Sequence, residues 1–193
     1  MVPETAEGFN LDAWAQRWDK EIEQWFKDPN AFWKDHPLFS CYNGSGKCEI
    51  KADYLPEPYL GDPCPSKGRH SAVFLNLNPG PPDDLFQAYP CGKYTARVGK
   101  VGYRKWAKNN PYNPLTNKDE IETIYEQVHV GGENFWGNRN RWLSDVTGEN
   151  QPQPPFCLEI FPFHSDRWGY YNEEKAREWI TEWVLNRGAF RDK

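Results

Sequence analysis

The sequence predicts an α/β fold, a three-layer α/β/α arrangement around a parallel central sheet, on three observations. Two apolar runs, residues 71–77 and 156–161, have the length of strands buried on both faces, as in a parallel sheet covered by helices. Helical patterns lie between them and after the second, the order that crossover-connected parallel strands produce. At 193 residues the chain is one domain by length, large enough to bury most of the surface its unfolded form exposes. That single domain reads as an N-terminal helical segment (1–35), an irregular or hairpin segment (36–70) and an α/β core (71–193).

Taken in order, Asn10 is a suitable N-cap, and Leu11, Trp14, Trp18, Ile22 and Trp25 recur at helical spacing, so residues 10–27 form an amphipathic helix. Asp28-Pro29-Asn30 ends it. In the next segment Asn43-Gly44-Ser45-Gly46 has the composition of a hairpin turn. Residues 54–62 must be extended, because each proline biases its predecessor away from helix. A helix over 118–129 is capped by Asn117 and carries Ile121, Ile124, Tyr125 and Val128 on one face. Residues 133–146 form another, with Phe135, Arg139, Trp142 and Val146 in register. The clearest helix is 173–186, capped by Asn172, striped by Ala176, Trp179, Ile180, Trp183 and Val184, and stopped by Gly188. Two parallel strands are too few for a stable sheet. Either the 36–70 segment supplies edge strands or the chain lacks a C-terminal part, and truncation is the expectation.

Composition narrows the function classes. No apolar run reaches the roughly eighteen residues of a membrane span, and MVPETAEGF lacks the basic-then-apolar pattern of a secretion signal. A soluble, cytoplasmic protein with no membrane partner is expected. The net charge of −5 argues against a general polyanion binder. Cys41, Cys48, Cys64 and Cys91 are separated by six, fifteen and twenty-six residues, with no C-x-x-C among the five cysteines. Metal sites usually carry one short pair, so reduced thiols are expected and no metal or cofactor. Ten Trp, ten Tyr and eleven Phe in a chain of mean hydropathy −0.92 suit a ring-rich core, an aromatic groove, or a tryptophan-rich interaction surface.

In open parallel sheets ligands bind beyond the carboxyl ends of the strands. The first strand ends in Asn76-Leu77-Asn78-Pro79-Gly80 and the second leads through Glu159 to Phe161-Pro162-Phe163-His164-Ser165. If the strands are parallel neighbours, Asn78, Glu159 and His164 converge on one crevice, with Phe161, Phe163 and Phe86 as flat walls for a planar heterocycle. Asn76, Pro79, Gly80 and Ser165 complete the candidate base-binding set. The bland alternative is a turn at 78–80, with Glu159 and His164 satisfying backbone groups. Residues 93–108 then add Lys93, Arg97, Lys100, Arg104, Lys105 and Lys108 without one acid, interleaved with Tyr94, Tyr103 and Trp106. Cations for phosphates and rings for stacked bases are what nucleic acid requires; a solvated loop with scattered charge is the alternative.

These residues resemble a family. Leu75-Asn76-Leu77-Asn78-Pro79-Gly80 is similar to the first motif of the uracil-DNA glycosylase superfamily, in its Asn-Pro-Gly version. Pro56-Glu57-Pro58-Tyr59-Leu60-Gly61 and Glu159-x-Phe161-Pro162-Phe163-His164-Ser165 resemble a bacterial branch of it. The resemblance spans residues 54–190 and rests on three short motifs. It implies a three-layer fold with a four-stranded parallel sheet, hydrolysis of the N-glycosyl bond of a flipped base, and DNA as partner. It matches Asn78 to the residue that positions the attacking water, Leu77 to a glutamine position and Gly80 to a tyrosine position. It departs in three respects: Leu77 and Gly80 are not that glutamine and tyrosine, and nothing after Gly188 can be the family's His-Pro-Ser-type motif, so His164 stands in by analogy alone. A non-catalytic nucleic-acid or nucleotide-binding module of the same fold is the alternative.

Overall fold

The first helix shows how the chain builds its core. In α1 (Leu11–Trp25) the residues at helical spacing, Trp14, Ala15, Trp18, Ile22 and Trp25, are all buried. The computed structural model describes residues 11–36, 46–64, 72–76, 79–108, 132–149, 155–159 and 161–166. The predicted helices over 118–129 and 173–186 lie outside the described residues, as does the predicted hairpin turn up to residue 45.

Asp28 does more than end α1. Its Oδ1 accepts from the backbone N–H groups of Asn30 and Ala31, both at 3.0 Å, and so caps α2 (Pro29–Asp35), with Pro29 at the first helical position. The indole N–H groups of Trp25 and Trp33 then converge on one carbonyl, Ala52 O, each at 2.9 Å, tying both helices to the following segment. After a 3-10 turn (Gly46–Cys48) the Pro-rich stretch runs extended, as expected, into β1 (Tyr59–Leu60), and is buried from Leu55 onward.

The sheet has the order β1-β3-β2. β2 (Val73–Asn76) and β3 (Phe156–Glu159) are parallel, with Val73 opposite Phe156 and Asn76 opposite Glu159. β1 runs antiparallel to β3, with Tyr59 opposite Leu158. The described fold is therefore an α/β mix around a small mixed sheet, not a purely parallel one. The extra strand comes from the 36–70 segment, where the prolines hold the chain extended for pairing.

Burial on both faces holds for β3, where Phe156, Cys157 and Glu159 are buried, but not for β2. Val73 is 50% exposed and Leu75 66% exposed. The cause is position. α1 and α4 (Tyr103–Ala107) pack over the β1 side, where Tyr59 meets Trp14 and Tyr103 with ring centroids 5.7 and 5.1 Å apart, and β2 lies at the far edge. On the opposite face Phe74 packs against α5 (Gly132–Thr147), its ring centroid 5.7 Å from that of Trp142. The predicted apolar stripe of this helix is shifted: Asn140 and Leu143 are buried, whereas Val146 is 64% exposed.

Residues 93–108 are helical rather than a loop, as α3 (Lys93–Val101) and α4. Gly102, with φ +83°, separates the two helices and obscures their periodicity in the sequence. Gly92, just before α3, is a true close approach, since an added Cβ would sit 2.5 Å from Phe86 O.

Candidate functional site

The carboxyl ends of β2 and β3 do meet, and the pair they bring together is Asn76 and Glu159. Their register makes them neighbours on one face. Asn76 Nδ2 donates to Glu159 Oε1 at 2.6 Å, while Asn76 Oδ1 accepts from Arg139 Nη2 of α5 at 2.5 Å. The Arg139 guanidinium lies over the Phe74 ring, 4.8 Å from its centroid. Glu159 is buried, its backbone N–H donates to Pro58 O at 3.0 Å, and its Oε2 is sealed from solvent with no hydrogen-bond partner among the described residues. Burial pushes this carboxyl up to about 8; the Asn76 bond opposes the rise, the charge of Glu57 adds to it, and Arg139 opposes it. The neighbouring Cys157 thiol is pushed up to about 12, chiefly by burial, so it is not a nucleophile at neutral pH.

A second polar cluster sits beside the first. Glu57 is buried; its backbone N–H donates to Pro162 O at 2.7 Å, and Gln87 Nε2 donates to its Oε1 at 3.2 Å. Gln87 is in turn fixed, its Oε1 accepting from Asp83 N at 2.6 Å and its carbonyl from Thr95 Oγ1 at 2.7 Å. His164 is also buried, and its Nδ1 lies 3.0 Å from Gly80 O. A carbonyl only accepts, so Nδ1 carries the hydrogen. The backbone N–H of Ser165 reaches the same carbonyl at 3.3 Å. His164 Nε2 is 3.8 Å from Glu57 Oε1, too long for a hydrogen bond.

The predicted residues therefore separate into groups. Asn78 lies outside the described residues. Asn76 and Glu159 are joined directly, and His164 and Ser165 strap the Pro79-Gly80 turn, where Gly80 has φ +86°. Phe86, Phe161 and Phe163 are not open walls but core. Phe163 lies against Trp33 with centroids 3.6 Å apart and against Phe161 at 5.0 Å, and Phe86 lies 5.0 Å from Tyr94. The interleaved rings are core as well: Tyr94, Tyr103 and Trp106 are all buried, so they offer no stacking platform. Their helical spacing turns them inward and leaves the cations outside. Arg104 is held by Asp12, Lys93 lies over the Phe86 ring at 5.3 Å, and Arg97, Lys100 and Lys105 are exposed. Of the tryptophans whose burial is described, Trp14, Trp18, Trp25, Trp33 and Trp106 are buried and Trp142 is half exposed.

Sequence reasoning assigns no role to Glu57, Gln87 or Arg139. The signal for Glu57 is its place between two prolines in a segment that must be extended and so can enter a sheet edge. Periodicity places Arg139 on a helix face, but nothing in sequence tells which strand that face meets.

A groove of about 770 Å³ opens elsewhere, between α1 and the α3–α4 pair, with Asp19 and Glu23 on one wall and Arg104, Lys105 and Lys108 on the other. Several of its charges are engaged: Arg104 with Asp12, Lys108 with Asp62 at 3.1 Å, and Asp19 with the Tyr59 hydroxyl at 2.8 Å. The carboxyl with a buried oxygen lacking a hydrogen-bond partner among the described residues is Glu159, which does not line this groove. Among the described residues no helix is long and apolar enough to cross a membrane, and no cluster of three His, Cys, Asp or Glu side chains is placed to hold a metal ion. No protein-family model, no curated protein and no solved structure matches the chain.

Proposed function

We propose that the chain is a glycosylase-like hydrolase of the N-glycosyl bond of a flipped base in DNA, with Glu159 as its proton-transfer group. The observation that carries this reading is the Glu159 carboxyl. It is buried at the carboxyl end of a parallel strand pair, fixed through one oxygen, without a hydrogen-bond partner among the described residues at the other, and raised to about 8. Such a group is protonated at neutral pH and acts first as an acid. The bond from C1′ to the base breaks with its electron pair going to the base, which takes the proton from Oε2. Water then adds to C1′ and returns a proton to the carboxylate, so the site ends as it began. Asn78, by the family resemblance, orients that water. His164 contributes by holding the Pro79-Gly80 turn rather than by touching the base. The three-layer reading is supported by α1 and α4 on one face of the sheet and α5 on the other. The DNA partner is supported by the exposed side chains of Lys93, Arg97, Lys100 and Lys105.

A specific observation favours the second reading, a non-catalytic module: both Glu159 and His164 are closed off from solvent. Base release from oligonucleotides containing uracil or hypoxanthine separates the two. The glycosylase reading expects release that falls about 100-fold or more in Glu159→Gln and also in Asn78→Ala. Salt-dependent DNA binding without base release in the unaltered protein would sink it in favour of the module.

A further inference from the structure

Arg139 has no part in the proposed chemistry as stated, yet it completes a chain of three side chains that ends on Glu159. We infer that Arg139 is a positioning residue for Glu159: it pins the Asn76 amide in one orientation, which leaves Oε2 as the oxygen that exchanges the carboxyl proton. The inference rests on the reading of Glu159 as a proton-transfer group.

An asparagine amide has nearly the same shape either way round, but the two orientations have opposite hydrogen-bonding effects. With its oxygen toward Glu159, Asn76 would accept the carboxyl proton and seal it inside the pair. With its NH₂ toward Glu159, it donates to Oε1 and forces the proton onto Oε2. A guanidinium has donors only, so the 2.5 Å approach of Arg139 Nη2 requires the amide oxygen to face Arg139. The NH₂ is then the group 2.6 Å from Glu159 Oε1. Both ends of this relay are fixed by the fold. The register of β2 on β3 sets Asn76 beside Glu159, and the guanidinium carbon of Arg139 lies over the Phe74 ring, 4.8 Å from its centroid. The oxygen left over, Oε2, is buried and without a hydrogen-bond partner among the described residues. A protonated carboxyl whose hydroxyl meets no acceptor is costly in a folded protein, and a ligand atom is the natural acceptor.

The charged and titratable groups felt at this carboxyl come from four directions. Glu57, from the segment before β1, disfavours its ionisation, whereas Arg139, from α5, favours it. Cys157 of β3 and Tyr103 of α4 are neutral neighbours, both raised by burial. Removing Arg139 therefore takes away both the amide's anchor and, among the described residues, the cation that favours ionisation.

The test follows the Glu159 carboxyl by ¹³C NMR titration, beside the pH profile of base release. Arg139→Met keeps an unbranched chain without donor or charge. Its expected effect is to move the Glu159 midpoint up by about one pH unit or more, with the alkaline limb of base release following it. Arg139→Lys, which keeps a cation and a donor, is expected to restore at least half of that movement. Charge alone is distinguished from positioning by a double-mutant cycle. In an Asn76→Ala background, adding Arg139→Met is expected to move the midpoint much less than it does in the native background. An equal movement in both backgrounds overturns the inference, and so does an unmoved midpoint in Arg139→Met. If Arg139→Met fails to fold, judged by its amide spectrum, the same comparison is made with Arg139→Gln, a neutral donor expected to hold the amide and shift the midpoint by less than Asn76→Ala does; an equal shift overturns the inference. The predicted titrations without base release would refute the glycosylase reading alone. Base release that needs Glu159 but ignores Arg139 would refute the inference alone.

Discussion

At the end of β2, Asn76 turns its amide onto Glu159 of the adjacent strand and joins it to Arg139. In α3 and α4, a stretch equally rich in polar groups and rings comes apart: Tyr94, Tyr103 and Trp106 turn into the core, while Lys93, Arg97, Lys100 and Lys105 turn to solvent. The two regions differ in what their geometry does with sequence neighbours. Parallel strands in register carry side chains from distant segments to one face and one end, so polar residues at both strand ends are forced together. A helix of period 3.6 sorts a mixed stretch into an inner and an outer face, so interleaving in sequence becomes separation in space.

The largest expected effect tests the inner half of that sorting. Trp106→Ala removes a buried indole packed beside Tyr94 and Tyr103, at centroid distances of 5.4 and 5.2 Å, and is expected to cost about 3–5 kcal/mol in urea unfolding. If the protein binds DNA as proposed, its affinity per folded molecule should be unchanged. A stable variant that has lost DNA binding would mean that Trp106 serves as a stacking platform after all, and the contrast between the two regions would fail.

The next effect concerns the strand ends and has a definite sign. Glu159 titrates near 8 when folded and near 4.5 when unfolded, so between those values the folded state holds the extra proton. Its contribution to stability is fully present below about 4.5 and is lost as pH rises through about 8, with a slope of about 1.4 kcal/mol per pH unit at most over that window. His36 has the opposite sign. Burial holds its imidazole down to about 4, so its contribution is lost as pH falls from 6.5 toward 4. The two overlap, and Glu159→Gln isolates the first: the difference between variant and unaltered protein in urea midpoints across pH 5–8.5 should carry the Glu159 slope. A flat difference would mean that Glu159 is solvated and ionised, and the strand ends would be as ordinary as the outer face of α3.

How much of this was legible in the sequence follows from the same physics. The α1 stripe, the extended Pro-rich segment and the two apolar strands could be read, because periodicity and proline act locally, and a parallel arrangement followed from the strand–helix–strand order, though not the register. Glu159 could be singled out as a candidate because parallel strands of this kind generally present ligand sites at their carboxyl ends. The roles of Asn76 and Arg139 could not, since each is decided by a partner at least sixty residues away, as in the Asn76–Arg139 and Asn76–Glu159 bonds with separations of 63 and 83. The helices in 93–108 were hidden by Gly99 and Gly102, and α2 by an Asp-Pro pair that reads equally as a stop or a start. Exposure of Val73 and Leu75 was illegible for a third reason: an apolar strand does not say whether it lies mid-sheet or at an edge.

The smallest stability effect tests the outer half of the sorting, and it separates two uses of a cation. Arg104 is tied to Asp12 and reaches across to α1, whereas Lys93, Arg97, Lys100 and Lys105 project from α3 and α4. Replacing those four with Gln should change unfolding free energy by less than about 0.5 kcal/mol each, because exposed charges contribute little to the fold. If the outer face meets phosphates, the same variant should bind DNA more weakly, and the slope of log affinity against log salt should fall by about 0.9 for each phosphate that is no longer neutralised. A weaker affinity with an unchanged slope would mean that phosphates are held elsewhere on the molecule. No change in either would reduce the stretch to a core-facing pair of helices with a solvated back, and would leave the strand ends as the one region where sequence polarity marks chemistry.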